Sequence, residues 1–568
     1  MHIDIVPNRN SPPAVLLRES YREGKKVKKR TLANLSSLAM EQVELIRAVL
    51  RGDALTPVSN AFEIVASRSK GHVDAVLGAM RQLGFAALMS SKPCRERDLV
   101  AAMVAARILA PHTKLATVRW WGNTTLASEL GVADATEDDL YAAMDWLLLQ
   151  QDKIQKRLAD RHLQEGGHVL YDLSSSYFEG ACCPLARRGY SRDGKKGTLQ
   201  VNYGMLTDAR GCPVAIAVHD GNTADPVTLQ PEIDRLRKAF AISQLVIVGD
   251  RGMITQKAVN QFRDLEGVDW ISALKTGAIR SLLESGTLQL DLFDERNLCE
   301  LTHPDFPGER LVACRNPQLA ELRAHKREDL LRATETALHA IRARVTAGRL
   351  SGADRIGLAV GKVVNRYKVA KHFALEIDDT RFTCERDTAA IAREAALDGI
   401  YVIRTSVTAE VMDAANCVRR YKSLAQVERS FRTLKSVDLR IRPIHHRLEG
   451  RVRSHILLCM LSYYVEWHMR EAWRELTFAD EDQAAKETRD PVAPATRSPA
   501  ALAKLSRRRR DDGRGVHSFS TLLAELATIT SNTCRAPGAS GHAPLFQVAT
   551  SPNPTQSRAL ELINAIQL

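Results

Sequence analysis

Aromatic residues are scarce: Phe, Trp and Tyr make up 5% of the 568 residues, so core volume has to come from Leu, Val, Ile and Ala. Long apolar runs are missing as well. The longest, Ile456 to Val465, falls far short of the ~18–20 residues that span a bilayer, so no membrane segment is expected. The opening residues, MHIDIVPNRN, put acidic and polar groups where a secretory leader needs an apolar stretch, and a cytoplasmic location is expected. The ten cysteines form no CxxC pair, and Cys182 and Cys183 are adjacent. That suits neither a zinc ribbon nor a disulfide scaffold; in a chain of this length they read as reduced thiols. No repeat of fixed period is visible.

What is present is an ordinary globular composition, 45% hydrophobic, long enough for about three or four domains. Lys and Arg number 80 against 67 Asp and Glu, a formal charge of +13 with a pI near 9.3. That balance fits a polyanionic partner, most simply nucleic acid.

The order of patterns gives a division. Residues 1–35 hold two short apolar-polar runs, VLLRES and VKKRTL, joined by a turn at Gly24: a small basic β element. Its Lys25, Lys26, Lys28, Lys29 and Arg30 suit either an arm on DNA phosphate or an edge strand guarded by charge. Residues 36–165 show helical periodicity, and the stretch 124–150 reads as two helices about a Gly-bearing turn. A helix-turn-helix and a plain bundle both fit it. At 168 the period changes. HVLYDLSSSYFEG, TLQVNYGMLTD, CPVAIAVHDGN, QLVIVGD and DWISALK read as strands, with helices in DPVTLQPEIDRLRKAF and TQKAVNQFRDLEG. Pro231 is expected near the start of the first of these helices, and Thr255 caps the second. This makes 166–277 a mixed α/β core. Residues 278–397 break the pattern and read as a β-containing insertion, DGIYVIRTS either closing it or rejoining the core sheet. Residues 398–475 read as the second core part, 476–515 as a linker rich in Asp, Arg, Pro and Ala, and 516–568 as a helical tail.

Three carboxylates stand out. Asp172 sits inside a strand, where Asp is disfavoured. Asp250 ends an apolar run, at the strand edge where α/β sheets bind ligands. Glu428 lies on the helix VRRYKSLAQVERSFRTLKS. At ~100° per residue Leu424, Val427, Phe431 and Leu434 make one apolar stripe on that helix, and Tyr421, Glu428 and Lys435 border it. With the stripe on the sheet, Glu428 overhangs the edge that carries Asp172 and Asp250. Such a cluster suits two-metal phosphoryl transfer, since hard Mg²⁺ or Mn²⁺ takes oxygen ligands and no protein nucleophile is required. Tyr421 and Lys435 are then placed against phosphate. His445 and His446 are candidates for phosphate or metal, or simply a loop pair. Asn222 and Asp225 shape a turn and a helix start, or brace the site.

The set strand Asp, strand-end Asp, helix Glu, with YDLSSSYFEG, GMLTDARGCPVAIAVHDGNTADP and VIVGDRGM around it, resembles the DDE insertion-sequence transposases of the branch with a YREK signature helix. Tyr421, Glu428 and Lys435 match that signature; Leu424 replaces its Arg, and Arg432 shares the face. The resemblance covers roughly 168 to 470. It implies an RNase H-like core with an insertion between the second Asp and the Glu, and the 428 − 250 = 178 residues of separation leave room for one. It also implies Mg²⁺-dependent cleavage at element ends, strand transfer into double-stranded target DNA, and a homodimer assembled on DNA in the bacterial nucleoid. In relatives that pass through a DNA hairpin an aromatic of the insertion holds a flipped base; Phe293, Phe306, Tyr367, Phe373 and Phe382 are the candidates here. The alternatives are a metal-dependent DNA nuclease without transposition and an inactive DNA-binding regulator derived from a transposase.

Overall fold

The computed structural model describes residues 1–9, 11–53, 62–180, 182–289, 291–436, 438–535 and 545–568. They form two compact units. One comprises Met1–Arg68 with Thr530–Thr550, the other Ser69–Ile529 with Ser551–Leu568.

The smaller unit starts as an antiparallel meander, His2–Val6, Ala14–Glu23 and Lys26–Asn34. Gly24 takes φ +64° at its tight turn, a conformation other residues resist. Helix Met40–Arg51 follows and ends on Gly52. A second sheet joins Glu63–Ser69 to the pair Thr530–Arg535 and Leu545–Ala549. The tail was expected to be helical, but Thr530–Arg535 and Leu545–Ala549 are strands of this unit. Of the lysine arm, all exposed, Lys28 pairs with Glu23 and Lys29 with Asp4 at 2.9 Å; Lys25 and Lys26 have no ion partner among the described residues.

The larger unit is built on one mixed sheet. Its order is Leu298–Leu301, Arg310–Arg315, Ile400–Thr405, Val268–Ala273, Leu245–Val248, Gly167–Tyr177, Leu199–Asp208, with Pro213–Asp220 also on the last. The continuous apolar run Leu245–Val248 is buried throughout and lies parallel to both its neighbours, as a doubly covered strand should. Helix Glu137–His162 starts at a capping box between Thr136 and Asp139 and buries Leu140, Met144, Leu147 and Leu158. It packs on Arg95–Leu109, on Glu449–Ala472 and on strand Pro213–Asp220. A single hydrophobic core runs from Val73 to Ile563.

That core redraws the expected divisions. Residues 69–165 are not a separate helical region, because their helices pack on the later helices Glu449–Ala472 and Pro554–Asn564, and Glu137–His162 packs also on strand Pro213–Asp220. In 124–150 the first helix, Leu126–Glu129, is one turn long, and the second is a core helix; the segment is a bundle rather than a reading head. The separately folded part of the insertion is smaller than 278–397. Helices Pro317–Thr346 and Ala353–Tyr367 with hairpin Phe373–Ile377/Phe382–Arg386 enclose their own core, whereas 298–301, 310–315 and 400–405 extend the main sheet. DGIYVIRTS thus rejoins the sheet. Pro231 lies inside helix Asp225–Asp234, which begins at Asp225 and widens after Asp234 into a π turn. The expected linker 476–515 is docked: the Val492 carbonyl accepts from Asn316 Nδ2 at 2.9 Å and Lys422 Nζ at 3.0 Å. Among the described residues no single helix is long and apolar enough to cross a membrane.

Candidate active site

Asp172 lies on strand Gly167–Tyr177, whose parallel pairing with Leu245–Val248 ends at Leu170 opposite Val248. Its Oδ1 accepts from the Leu173 amide at 2.8 Å. Burial pushes the carboxyl up to about 7; the Leu173 amide and Arg192 oppose this, and the negative charges of Asp250 and Glu428 add to it. Asp250 stands just beyond the neighbouring strand, exposed. Its Oδ1 accepts from the amides of Gly252 at 2.9 Å and Met253 at 2.8 Å, which fixes the carboxylate; Oδ2 takes no hydrogen bond among the described residues. A Cβ on Gly252 would meet that Oδ1 at 3.3 Å, so the turn favours glycine. The Glu428 carboxylate, exposed, makes no hydrogen bond or ion pair among the described residues. Its helix, Leu424–Lys435, packs on the Asp172 strand through Val427, Phe431 and Leu434.

The helix read as continuous over 418–436 is two, Ala414–Lys422 and Leu424–Lys435. Between them the Ser423 hydroxyl donates to the Arg420 carbonyl at 2.5 Å, competing with the helical ladder. Tyr421 remains beside the acids across the break: burial raises its phenol, and Asp250 and Glu428 act in the same direction. Lys435 is drawn elsewhere. Its ammonium bonds to buried Asp193 at 2.9 Å, Arg442 pairs with the same carboxylate, and the Tyr177 amide donates to it at 3.1 Å. Burial lowers the Lys435 pKa, and Asp193 opposes that. Arg432 lines a cleft of about 1270 Å³ on the flank of these helices, together with Arg420 and Arg429; none of the three acids lines it.

Arg192, Asp193 and Arg442 were missed. Arg192 acts on Asp172 electrostatically, donates its amide to Ser175 Oγ at 3.0 Å and pairs with Asp225. The signal for Arg192 and Asp193, the charged loop SRDGKK, reads as solvated surface. Asp225 is the first residue of its helix rather than the cap, which is Ala224; Asn222 is exposed. His446 packs against Tyr141 and His455, away from the acids. Phe373 and Phe382 are buried in the insertion's core, which removes them as base-holding aromatics.

Three acids from three chain segments thus share one electrostatic cluster, at the strand ends and on an adjoining helix. Residues 165–465, more than half the chain, match the model of the transposase DDE domain. The chain belongs to the DDE transposases. Residues 3–56 match the N-terminal domain of IS1634 family transposases. No curated protein matches the sequence. Among solved structures, the cryo-EM structure of a piggyBac transposase synaptic complex with hairpin DNA is similar at TM-score 0.35 and 8% identity, covering 80% of this chain and 77% of that one. A DDE transposase is an enzyme of DNA cleavage and strand transfer that works with divalent metal, and this chain is one.

Proposed function

We propose that Asp172, Asp250 and Glu428 are the catalytic triad of this transposase and that they hold Mg²⁺ or Mn²⁺. The observation that carries this reading is that Asp250 and Glu428 both act on the buried Asp172 carboxyl, which gives three carboxylates with an all-oxygen donor set, Asp250 Oδ2 taking no hydrogen bond among the described residues. Such a set fits a hard dication. When bound, the metal supplies a lowered pKa for the attacking water or 3′ hydroxyl and charge neutralisation at the scissile phosphate. The protein's part is placement. The Gly252 and Met253 amides aim Asp250, the helix stripe sets Glu428 over the sheet edge, and Tyr421 lies where a phosphate beside the acids would pass.

An RNase H-like core is supported by the strand order Pro213–Asp220, Leu199–Asp208, Gly167–Tyr177, Leu245–Val248, Val268–Ala273, antiparallel through the first three and parallel through the last three. In this reading the enzyme cuts element ends and joins them to double-stranded target DNA, as a homodimer assembled on DNA in the bacterial cytoplasm. The N-terminal lysines and Arg432 contribute phosphate contacts, and Lys435 acts from its pair with Asp193.

The test is cleavage of a labelled element end by Asp250→Asn and Glu428→Gln. Each is expected to lose at least about 10²-fold in rate while binding the same DNA within a few-fold. Cleavage at the normal rate by either variant, or by the parent protein in excess chelator, sinks the assignment. Ca²⁺, which accepts irregular coordination, is expected to support binding without turnover.

A further inference from the structure

A second cluster of metal-ligating side chains lies apart from the acids. His162 ends helix Glu137–His162, Cys212 follows the turn at Gly211 between strands Leu199–Asp208 and Pro213–Asp220, and His468 is near the end of helix Glu449–Ala472. One ligand atom from each lies within 4.8 Å of the other two. Cys212 Sγ and His468 Nε2 are 3.8 Å apart. Tetrahedral zinc bound by sulfur and nitrogen sets its ligand atoms about 3.3–3.6 Å apart, so small side-chain shifts close the set.

The surroundings resemble those that hold metal ligands in place. Tyr464 Oη is 3.1 Å from His162 Nε2, and the Cys212 amide donates to Asp208 at 2.9 Å. Cys212 and His468 are buried, so neither is an exposed thiol or imidazole in chance contact. The cluster shares no residue with the triad. Asp208 pairs with Val169, three residues back along the strand from Asp172, or about 10 Å. One thiolate with two imidazoles selects a borderline or soft ion over the hard Mg²⁺ that suits three carboxylates.

We propose that His162, Cys212 and His468 form a zinc site that ties the helix before the catalytic sheet, the sheet's hairpin turn and the long core helix into one assembly. Three protein ligands leave the fourth position to water. Binding only the folded chain, the ion stabilises it. This does not rest on the triad assignment.

The test uses the full-length protein. Elemental analysis of protein purified without chelator is expected to give one equivalent of zinc, absent in Cys212→Ser. Titration of metal-stripped protein with Co²⁺ is expected to give a thiolate-to-cobalt charge-transfer band with saturation at one equivalent. That band persists in Asp250→Asn and disappears in Cys212→Ser, which separates the two sites. Chelation is expected to lower the Tm of the parent protein. If the Cys212 variant does not fold, His468→Gln and the parent's cobalt spectrum decide the matter. No stoichiometric zinc together with no charge-transfer band in the parent protein overturns the proposal, and so does an unchanged band in soluble Cys212→Ser.

Discussion

Asp172 and Asp250 stand in step: the parallel pairing of their strands ends at Leu170 opposite Val248, and each acid lies two residues further along the chain, Asp250 just past its strand's end. The sheet therefore brings two like charges together at one edge, and the Glu428 helix adds a third. If these three acids form the metal site proposed above, the metal-free protein is expected to lose some stability to their repulsion.

The first prediction follows from that repulsion. Asp172→Asn keeps an oxygen for the Leu173 amide and removes one buried charge from the cluster. Cleavage is expected to be lost. Thermal unfolding at pH 8 in chelator is expected at a higher temperature than for the parent, with a gain of about 1 kcal/mol. A lower Tm in the variant would mean that the Asp172 charge is structural, not catalytic.

The second concerns the buried carboxylate that sequence reading passed over. Asp193, 1% exposed, compensates both Lys435 and Arg442. Asp193→Ala strands two cations in a site with little water, and the expected loss in denaturant unfolding is about 3–5 kcal/mol. The double variant Asp193→Asn/Lys435→Met is expected to recover much of that loss while still cutting poorly. If Asp193→Ala unfolds like the parent, the pair is not buried in solution.

How far the sequence discloses all this depends on range. Asp172 and Asp250 are legible because strands have period 2 and a doubly covered strand is an unbroken apolar run; an Asp in either breaks the pattern. Glu428 is legible from the stripe Leu424, Val427, Phe431, Leu434. The break at Ser423 is not, because it depends on one hydroxyl choosing a carbonyl. Strand Thr530–Arg535 is short and polar, and its partner Glu63–Ser69 lies more than 460 residues earlier. No local period marks such a pairing. The helices of 69–165 show their apolar faces plainly, but not that helix Glu449–Ala472 and the tail helix Pro554–Asn564, far along the chain, are what cover most of them. A fragment ending at 165 would therefore expose those faces, and end recognition has to be tested in the full chain.

The third prediction separates two basic surfaces. Arg420, Arg429 and Arg432 line one cleft without ion partners among the described residues, while Arg210, Arg470 and Arg474 in the same cleft are paired with Asp208, Asp438 and Glu471. Unpaired guanidinium groups release more counterion on meeting phosphate. Arg429→Gln/Arg432→Gln is expected to weaken binding to end and scrambled DNA alike and to reduce the salt slope by about 2. In the arm, Lys25→Gln/Lys26→Gln is expected to cost more than Lys28→Gln/Lys29→Gln, since the latter lysines already face Glu23 and Asp4. Unchanged salt slopes in all three double variants would place the DNA elsewhere.

The last prediction is acid instability, and its sign is fixed by opposing sets of groups. Burial lowers His72, His162, His168 and His219 to about 4, and His446 and His468 to about 3. In the unfolded chain each titrates near 6.5, so between that value and about 4 the unfolded state binds more protons. Their contribution is complete above pH 6.5 and is lost as pH falls. Glu466 and Asp172 work the other way: burial raises both to about 7, so the stability their protonated forms confer is lost as pH rises toward 7. Burial also drives His455 down and Glu232 up, so in metal-free protein seven imidazoles outweigh three carboxyls, and Tm is expected to drop steeply from pH 7.5 to pH 5. His446 gives the cleanest single test. It packs against the Tyr141 and His455 rings, with Lys114 and Arg107 further disfavouring its charge. Over that interval it accounts for about 2 kcal/mol, so His446→Gln is expected to flatten the acid limb by roughly that amount and leave the stability above pH 7 little changed in its pH dependence. An acid limb identical to the parent's would show that His446 protonates within the folded protein.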